Sequence, residues 1–148
     1  MNYLNKSESA LRRDERDRQL TELYCEIFDN LKEKKVNNPR SVAISLALAN
    51  GAPRYHVGFD RAYIVVAKLL NNGNVTFKSD LNRLMWLDIA KKVRSIMEQG
   101  KMSIAQAVPI VLEKCRASCF FISKEHAWVI IKRQLKLMHC RKPYGRID

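Results

Sequence analysis

The residues with the clearest chemical potential in this chain are cations. Lys132 and Lys136 stand four apart with Arg133 beside the first, so on a helix they form one face opposite Ala127, Ile130, Ile131 and Leu135. Arg141 and Lys142 follow, and no Asp or Glu occurs between Glu125 and Asp148. A cationic helix face running into a basic tail suits the binding of backbone phosphates, with Lys132, Arg133, Lys136, Arg141 and Lys142 as the contacts. Lys91, Lys92 and Arg94 form a second cluster that would widen the footprint. The bland alternative is a solvated helix face that keeps a basic protein soluble.

Other chemistry is thinner. Cys115 and Cys119 are four apart, and His139 and Cys140 follow later in the chain. Such a set suits tetrahedral zinc, but the spacing matches no standard finger. Buried cysteine in a reducing compartment is the better account, so no metal and no cofactor is assigned. His56, His126 and His139 have no sequence-local triad partner, and there is no Gly-rich phosphate loop. Asp14, Glu15 and Asp17 are interleaved with Arg12, Arg13, Arg16 and Arg18, which suggests surface ion pairs on a helix. A non-enzymatic protein is expected. Tyr55, His56, Phe120 and Phe121 suit stacking on unpaired bases; beside Val57 and Ile122 they suit a core equally well.

Composition supports the electrostatic reading. The chain has 148 residues, 47% hydrophobic, with 27 Lys and Arg against 15 Asp and Glu, a net charge of +12. That is one domain, 1–148, whose excess charge calls for a polyanionic partner. Residues 1–74 hold 12 basic and 9 acidic side chains, a net +3, and residues 75–148 hold 15 and 6, a net +9. Five glycines and four prolines are too few for a many-stranded architecture. No signal-peptide core and no apolar run of membrane-spanning length appears, so a cytoplasmic protein with no membrane role is expected. DNA is the favoured partner. The alternative is a protein–protein module, an assembly or adaptor component whose partner is another protein or a second copy of the chain.

The elements that must position these residues read as helices. Ser7 opens a long helix with Leu20, Leu23, Tyr24, Ile27, Phe28 and Leu31 on one face, closing near Lys32 to Lys35. Ser41 is read as the N-cap of a short helix through Ala49, apolar nearly all round and hence central, with a left-handed stop at Asn50-Gly51. An extended piece follows near 54–57, then a helix from Phe59 to Leu70 presenting Ala62, Tyr63, Val66, Leu69 and Leu70. The second half repeats the plan. Ser79 caps a helix carrying Leu81, Leu84, Met85, Ile89, Val93, Ile96 and Met97 and stopped at Gly100; Ser103 restarts a short helix; 119–122 is extended; Ser123 caps a last helix to about Met138. A short helix, a connection and a second helix with an exposed face make a weak helix-turn-helix-like pattern, its connection longer than usual.

The halves also match in residues. Tyr24, Ile27, Leu31, Ser41 and Ala43 pair with Trp86, Ile89, Val93, Ser103 and Ala105 at an offset of 62, and the offset becomes 65 from Ala52 and Ala117 onward. The three extra residues are placed in the second short helix, making it a turn longer, with Pro109 kinking it or delaying its start. The expected fold is all-α: two tandem units of about three helices, 8–72 and 79–138, related by a pseudo-two-fold axis, with 139–148 as a basic tail. The pieces 54–57 and 119–122 would pair across that axis as a small antiparallel ladder, or stand as loops whose aromatics plug the core.

The segment Ala52-Pro53-Arg54-Tyr55-His56-Val57-Gly58-Phe59-Asp60-Arg61-Ala62 resembles one found in small helical proteins of gut Bacteroidetes, their phages and mobile elements. The resemblance implies a mobile-element or phage source and carries no catalytic assignment.

Overall fold

The computed structural model describes residues 7–141, with side chains described through residue 138. Six helices follow in order: α1 Glu8–Glu33, α2 Pro39–Ala49, α3 Phe59–Leu70, α4 Asp80–Gly100, α5 Ile104–Lys114 and α6 Lys124–Arg141. Among the described residues there is no strand, and the fold is all-α.

Local chemistry sets most boundaries. The Ser7 and Ser79 hydroxyls accept from the amides of Ala10 and Asn82, and Ser103 forms a full capping box with Gln106. Two expectations shift, both in α2, while α4 stops at Gly100 as expected. α2 starts at Pro39 rather than after Ser41, because Asn38 takes a left-handed conformation (φ 52°) and Pro39 arrives preset at the first helical position. Its end at Asn50 is extended (φ −69°, ψ 145°), not left-handed. In α4 the left-handed residue is Lys101 (φ 52°), and Gly100 stays helical; a Cβ there would lie 2.7 Å from the Met102 methyl.

α2 and α5 are each 11 residues, so the expected extra turn in α5 is absent. Pro109 lies inside α5 without delaying its start, since the capping box at Ser103 fixes the first turn. The starts and ends of the pair, Pro39 and Ile104, Ala49 and Lys114, both stand 65 apart. The length difference between the halves therefore precedes the short helices. Burial keeps the same offset: Ala62, Val65 and Val66 in α3, and Ala127, Ile130 and Ile131 in α6, are all buried.

The third helix of each half packs on the first two of the other. α6 contacts α1 and α2, whereas α3 contacts α4 and α5. Residues 50–58 and 115–123 make the two crossings. They meet at an antiparallel bridge between Ala52 and Ala117, closed by hydrogen bonds of 3.0 and 3.1 Å. Both alanines are buried, and their small side chains let the backbones touch. The expected ladder over 54–57 and 119–122 does not form. Beyond the bridge the pieces diverge around stacked rings, Tyr55 on Phe121 at 6.4 Å and His56 on Phe120 at 5.8 Å. Nor do the crossings make a helix-turn-helix, because α2 does not pack on α3, nor α5 on α6.

The core follows this exchange. α2 buries only Ala43, Ile44 and Ala47 and leaves Leu46 exposed, so it is one-faced rather than central. Tyr63 and Leu84, expected on inner faces, are also exposed. One charged residue sits inside: Asp17 on α1 is 5% exposed and pairs with Arg16 at 2.9 Å and with Arg133 of α6 at 3.3 Å. Asp17→Ala is expected to lower stability by about 1–2 kcal/mol rather than the 3–5 of a fully buried pair, because Arg133 stays largely hydrated. Urea denaturation of Asp17→Ala, Arg133→Ala and the double variant checks this. The effects should couple by more than about 0.5 kcal/mol, and simple additivity would show the pair to be inert.

Candidate functional site

The predicted cations divide between two places. On α6, Lys132, Arg133 and Lys136 are exposed opposite buried Ala127, Ile130 and Ile131. Lys132 lies over the Trp128 ring at 5.6 Å, and Arg40 from α2 lies over the same ring at 4.8 Å. Arg133 is held by Asp17. Arg141 ends α6, so the helix takes the first residues of the expected tail; its side chain, all of Lys142 and the side chains of His139 and Cys140 lie outside the described residues. Lys91, Lys92 and Arg94 sit on α4, which packs in the other bundle. Lys91 and Arg94 are exposed. Lys92 is committed internally, its Nζ donating to the Arg116 carbonyl at 2.8 Å and standing 4.9 Å above the Tyr55 ring.

α6 runs antiparallel to α1, for Trp128 meets Tyr24 at 6.2 Å while Arg133 meets Asp17. Continuing that way, Lys136 and the end of α6 approach the first turns of α1, where Arg12, Arg13 and Arg16 stand. At this end of the α1–α6 pair Arg12 is paired with Glu8 and Glu15 and Arg16 with Asp17, so the exposed cations without ion pairs among the described residues are Lys132, Lys136 and Arg13.

Next to that end, a cavity of about 420 Å³ opens between the crossings and the start of α4. Five cations line it, Arg13, Arg16, Arg54, Arg61 and Lys78, and among the described residues no carboxylate does. Arg16 is paired with Asp17, and Arg54 lies 3.9 Å from Glu15. Arg13, Arg61 and Lys78 are exposed and form no ion pair among the described residues. Thr76, Ser79 and Asn82 add polar groups, and Tyr55, Trp86 and Phe120, all buried, form the floor.

His56 borders the same space. Its Nε2 donates to Gln19 Oε1 at 2.6 Å, and its ring is stacked on Phe120. Burial pulls its pKa down to about 4; Glu15 opposes this, while Arg16, Arg54 and Arg12 reinforce it. The ring is therefore neutral at pH 7. Burial, and then the hydrogen bond and the charge of Asp88, raise the Tyr55 phenol above its usual value, so it remains a donor to the Asp88 carboxylate. Tyr55 and Phe120 are too deeply buried to offer a face to a base, which leaves only the half-buried His56 and Phe121 of the four aromatics singled out from the sequence.

α5 ends at Lys114, so Cys115 and Cys119 lie on a crossing rather than four apart on a helix, and both are half-buried. Among the described residues no group of three His, Cys, Asp or Glu side chains is placed to hold a metal ion, and no helix is long and apolar enough to cross a membrane.

Comparison with family models, curated proteins and solved structures finds no match to the chain. The site therefore rests on its own geometry. Sequence reasoning missed the cavity because its cations come from α1, a crossing, α3 and the α3–α4 connection. One trace was present: Arg54 and Arg61 flank the aromatic piece within the segment from Ala52 to Ala62.

Proposed function

We propose that this protein binds nucleic acid without catalysing a reaction on it, as an accessory or regulatory factor. Phosphates are held by the exposed face of α6, with Lys132 and Lys136 as principal contacts and Arg141 and Lys142 continuing the strip. The carrying observation is the exposed face of α6, whose Lys132 and Lys136 form no ion pair among the described residues, in a stretch without Asp or Glu from 126 to 147. Such charge attracts a phosphate backbone whatever its sequence, because each neutralised phosphate releases counterions. Lys91 and Arg94 belong to a separate surface on α4 and serve a longer strand. Two like units exchanging their third helices about a pseudo-two-fold axis account for both surfaces, and charge was then concentrated in the second unit.

Fluorescence anisotropy with random duplex and single-stranded DNA over a salt series tests this. Binding is expected at about 50 mM salt and should weaken steeply as salt rises. Lys132→Gln with Lys136→Gln should reduce the slope of log affinity against log salt by about 2 on duplex. Absence of binding at low salt, or affinity indifferent to salt, sinks the proposal and favours a protein partner.

A further inference from the structure

The cavity between the crossings has a chemistry of its own. Its volume, about 420 Å³, falls among small-molecule sites rather than surface dimples. Its rim is cationic: Arg13, Arg61 and Lys78 are exposed and without ion pairs among the described residues. Its inner wall is apolar: Phe121 and Met85, both half-buried, line it above the buried Trp86 and Phe120. Rim and wall ask for different things from one ligand. Three cations without ion pairs favour a group bearing more than one negative charge, whereas the half-buried Phe121 ring beside Met85 favours a planar ring system. Inorganic phosphate would leave the floor wet, and an uncharged ring would leave the cations unanswered.

We infer that this cavity binds a nucleoside phosphate, with its phosphate among Arg13, Arg61 and Lys78 and its base against Phe121 and Met85. The ligand is a free mononucleotide or the terminal nucleotide of a phosphorylated single strand; both present the same chemistry. Thr76 and Asn82 offer a hydroxyl and an amide to the sugar or the base edge. Arg61 and Lys78, the cations tested below, are not contacts of the Lys132 and Lys136 surface, so the site stands or falls separately from the nucleic-acid reading above.

The test uses the full chain and adenosine 5′-monophosphate. The protein has two tryptophans, so a Trp128→Phe background leaves Trp86 as the sole reporter at the cavity wall. Saturable quenching of Trp86 is expected, with adenosine and inorganic phosphate each at least about tenfold weaker than the intact nucleotide. Arg61→Glu with Lys78→Glu, both at exposed positions, should weaken binding by at least about tenfold. Arg61→Lys should restore most of it, and Lys114→Glu, a matched charge reversal on α5, should leave it within about twofold. Circular dichroism confirms that each variant is folded. Displacement of the mononucleotide by a 5′-phosphorylated oligoadenylate, but not by the unphosphorylated strand, assigns the ligand to strand ends; failure of both to displace it assigns a free nucleotide. If neither the mononucleotide nor the phosphorylated strand quenches Trp86 at millimolar concentration, or if the Arg61 and Lys78 variant binds as the wild type does, the inference is overturned. DNA binding that persists in that case leaves the α6 surface unaffected.

Discussion

Tyr55→Ala is expected to lower the unfolding free energy by about 3–5 kcal/mol, a large fraction of the stability of a domain this size. The ring is 1% exposed and stands where the two crossings part. It stacks on Phe121, carries the Lys92 ammonium above its face at 4.9 Å, and donates its hydroxyl to Asp88. Asp88 is also 3.8 Å from Lys92. One side chain thus ties the first crossing to α4 of the other half. Truncation removes a large buried ring and leaves a hole that neither crossing can fill by local movement. Tyr55→Phe keeps the ring and loses only the hydroxyl; with Lys92 still facing Asp88, its cost should be about 1 kcal/mol. Urea denaturation followed by circular dichroism separates the two. A loss under about 1 kcal/mol for Tyr55→Ala would mean that the crossing does not hold the halves together. Since Tyr55 also forms part of the cavity floor, a folded Tyr55→Ala protein should bind nucleotide poorly.

Acid is expected to loosen the protein through His56. In the folded chain its proton binds only near pH 4, whereas an unfolded histidine takes one near 6.5. Between these values the unfolded chain holds more protons, so stability rises with pH across the window. The contribution is fully present above about pH 6.5, declines as pH falls, and is gone below about pH 4. Its size is about 2–3 kcal/mol after allowing for the solvent that reaches a half-buried ring. The groups facing the ring decide the sign. Glu15 would favour the imidazolium, but burial against Phe120 and the guanidiniums of Arg12, Arg16 and Arg54 outweigh it. His56→Gln retains a donor toward Gln19 and removes the titration. Comparing urea midpoints of wild type and variant at pH 7 and pH 4.5 isolates the effect from general acid lability. Parallel losses in both proteins would show that His56 is not responsible.

Much of the helical plan was legible because its causes are local. Ser7, Ser79 and Ser103 bond to amides three residues on, and the α3 limits at Phe59 and Leu70 follow from Gly58 before and the Asn71–Asn74 turn after. The exposed face of Lys132, Arg133 and Lys136 followed from helical periodicity alone. Misplaced features involved competition between neighbours. Asn38 with Pro39 outcompeted Ser41 for the start of α2, and Asn50 ended it in an extended rather than a left-handed conformation.

The sequence by itself determined the all-α class, the long, short and medium order of helices in each half, and the surplus of positive charge in residues 75–148. Each depends on interactions spanning at most a few residues, or on simple counting. Only the tertiary structure decided which charges are spent and where the rest collect. Arg133 is neutralised by Asp17, 116 positions away, and Lys92 is bound to the Arg116 carbonyl. Arg13, Arg61 and Lys78, unremarkable in sequence, meet at one cavity because α3 and α6 cross to opposite halves. Through-space electrostatics depends on distance, and here the crossings at Ala52 and Ala117 set those distances.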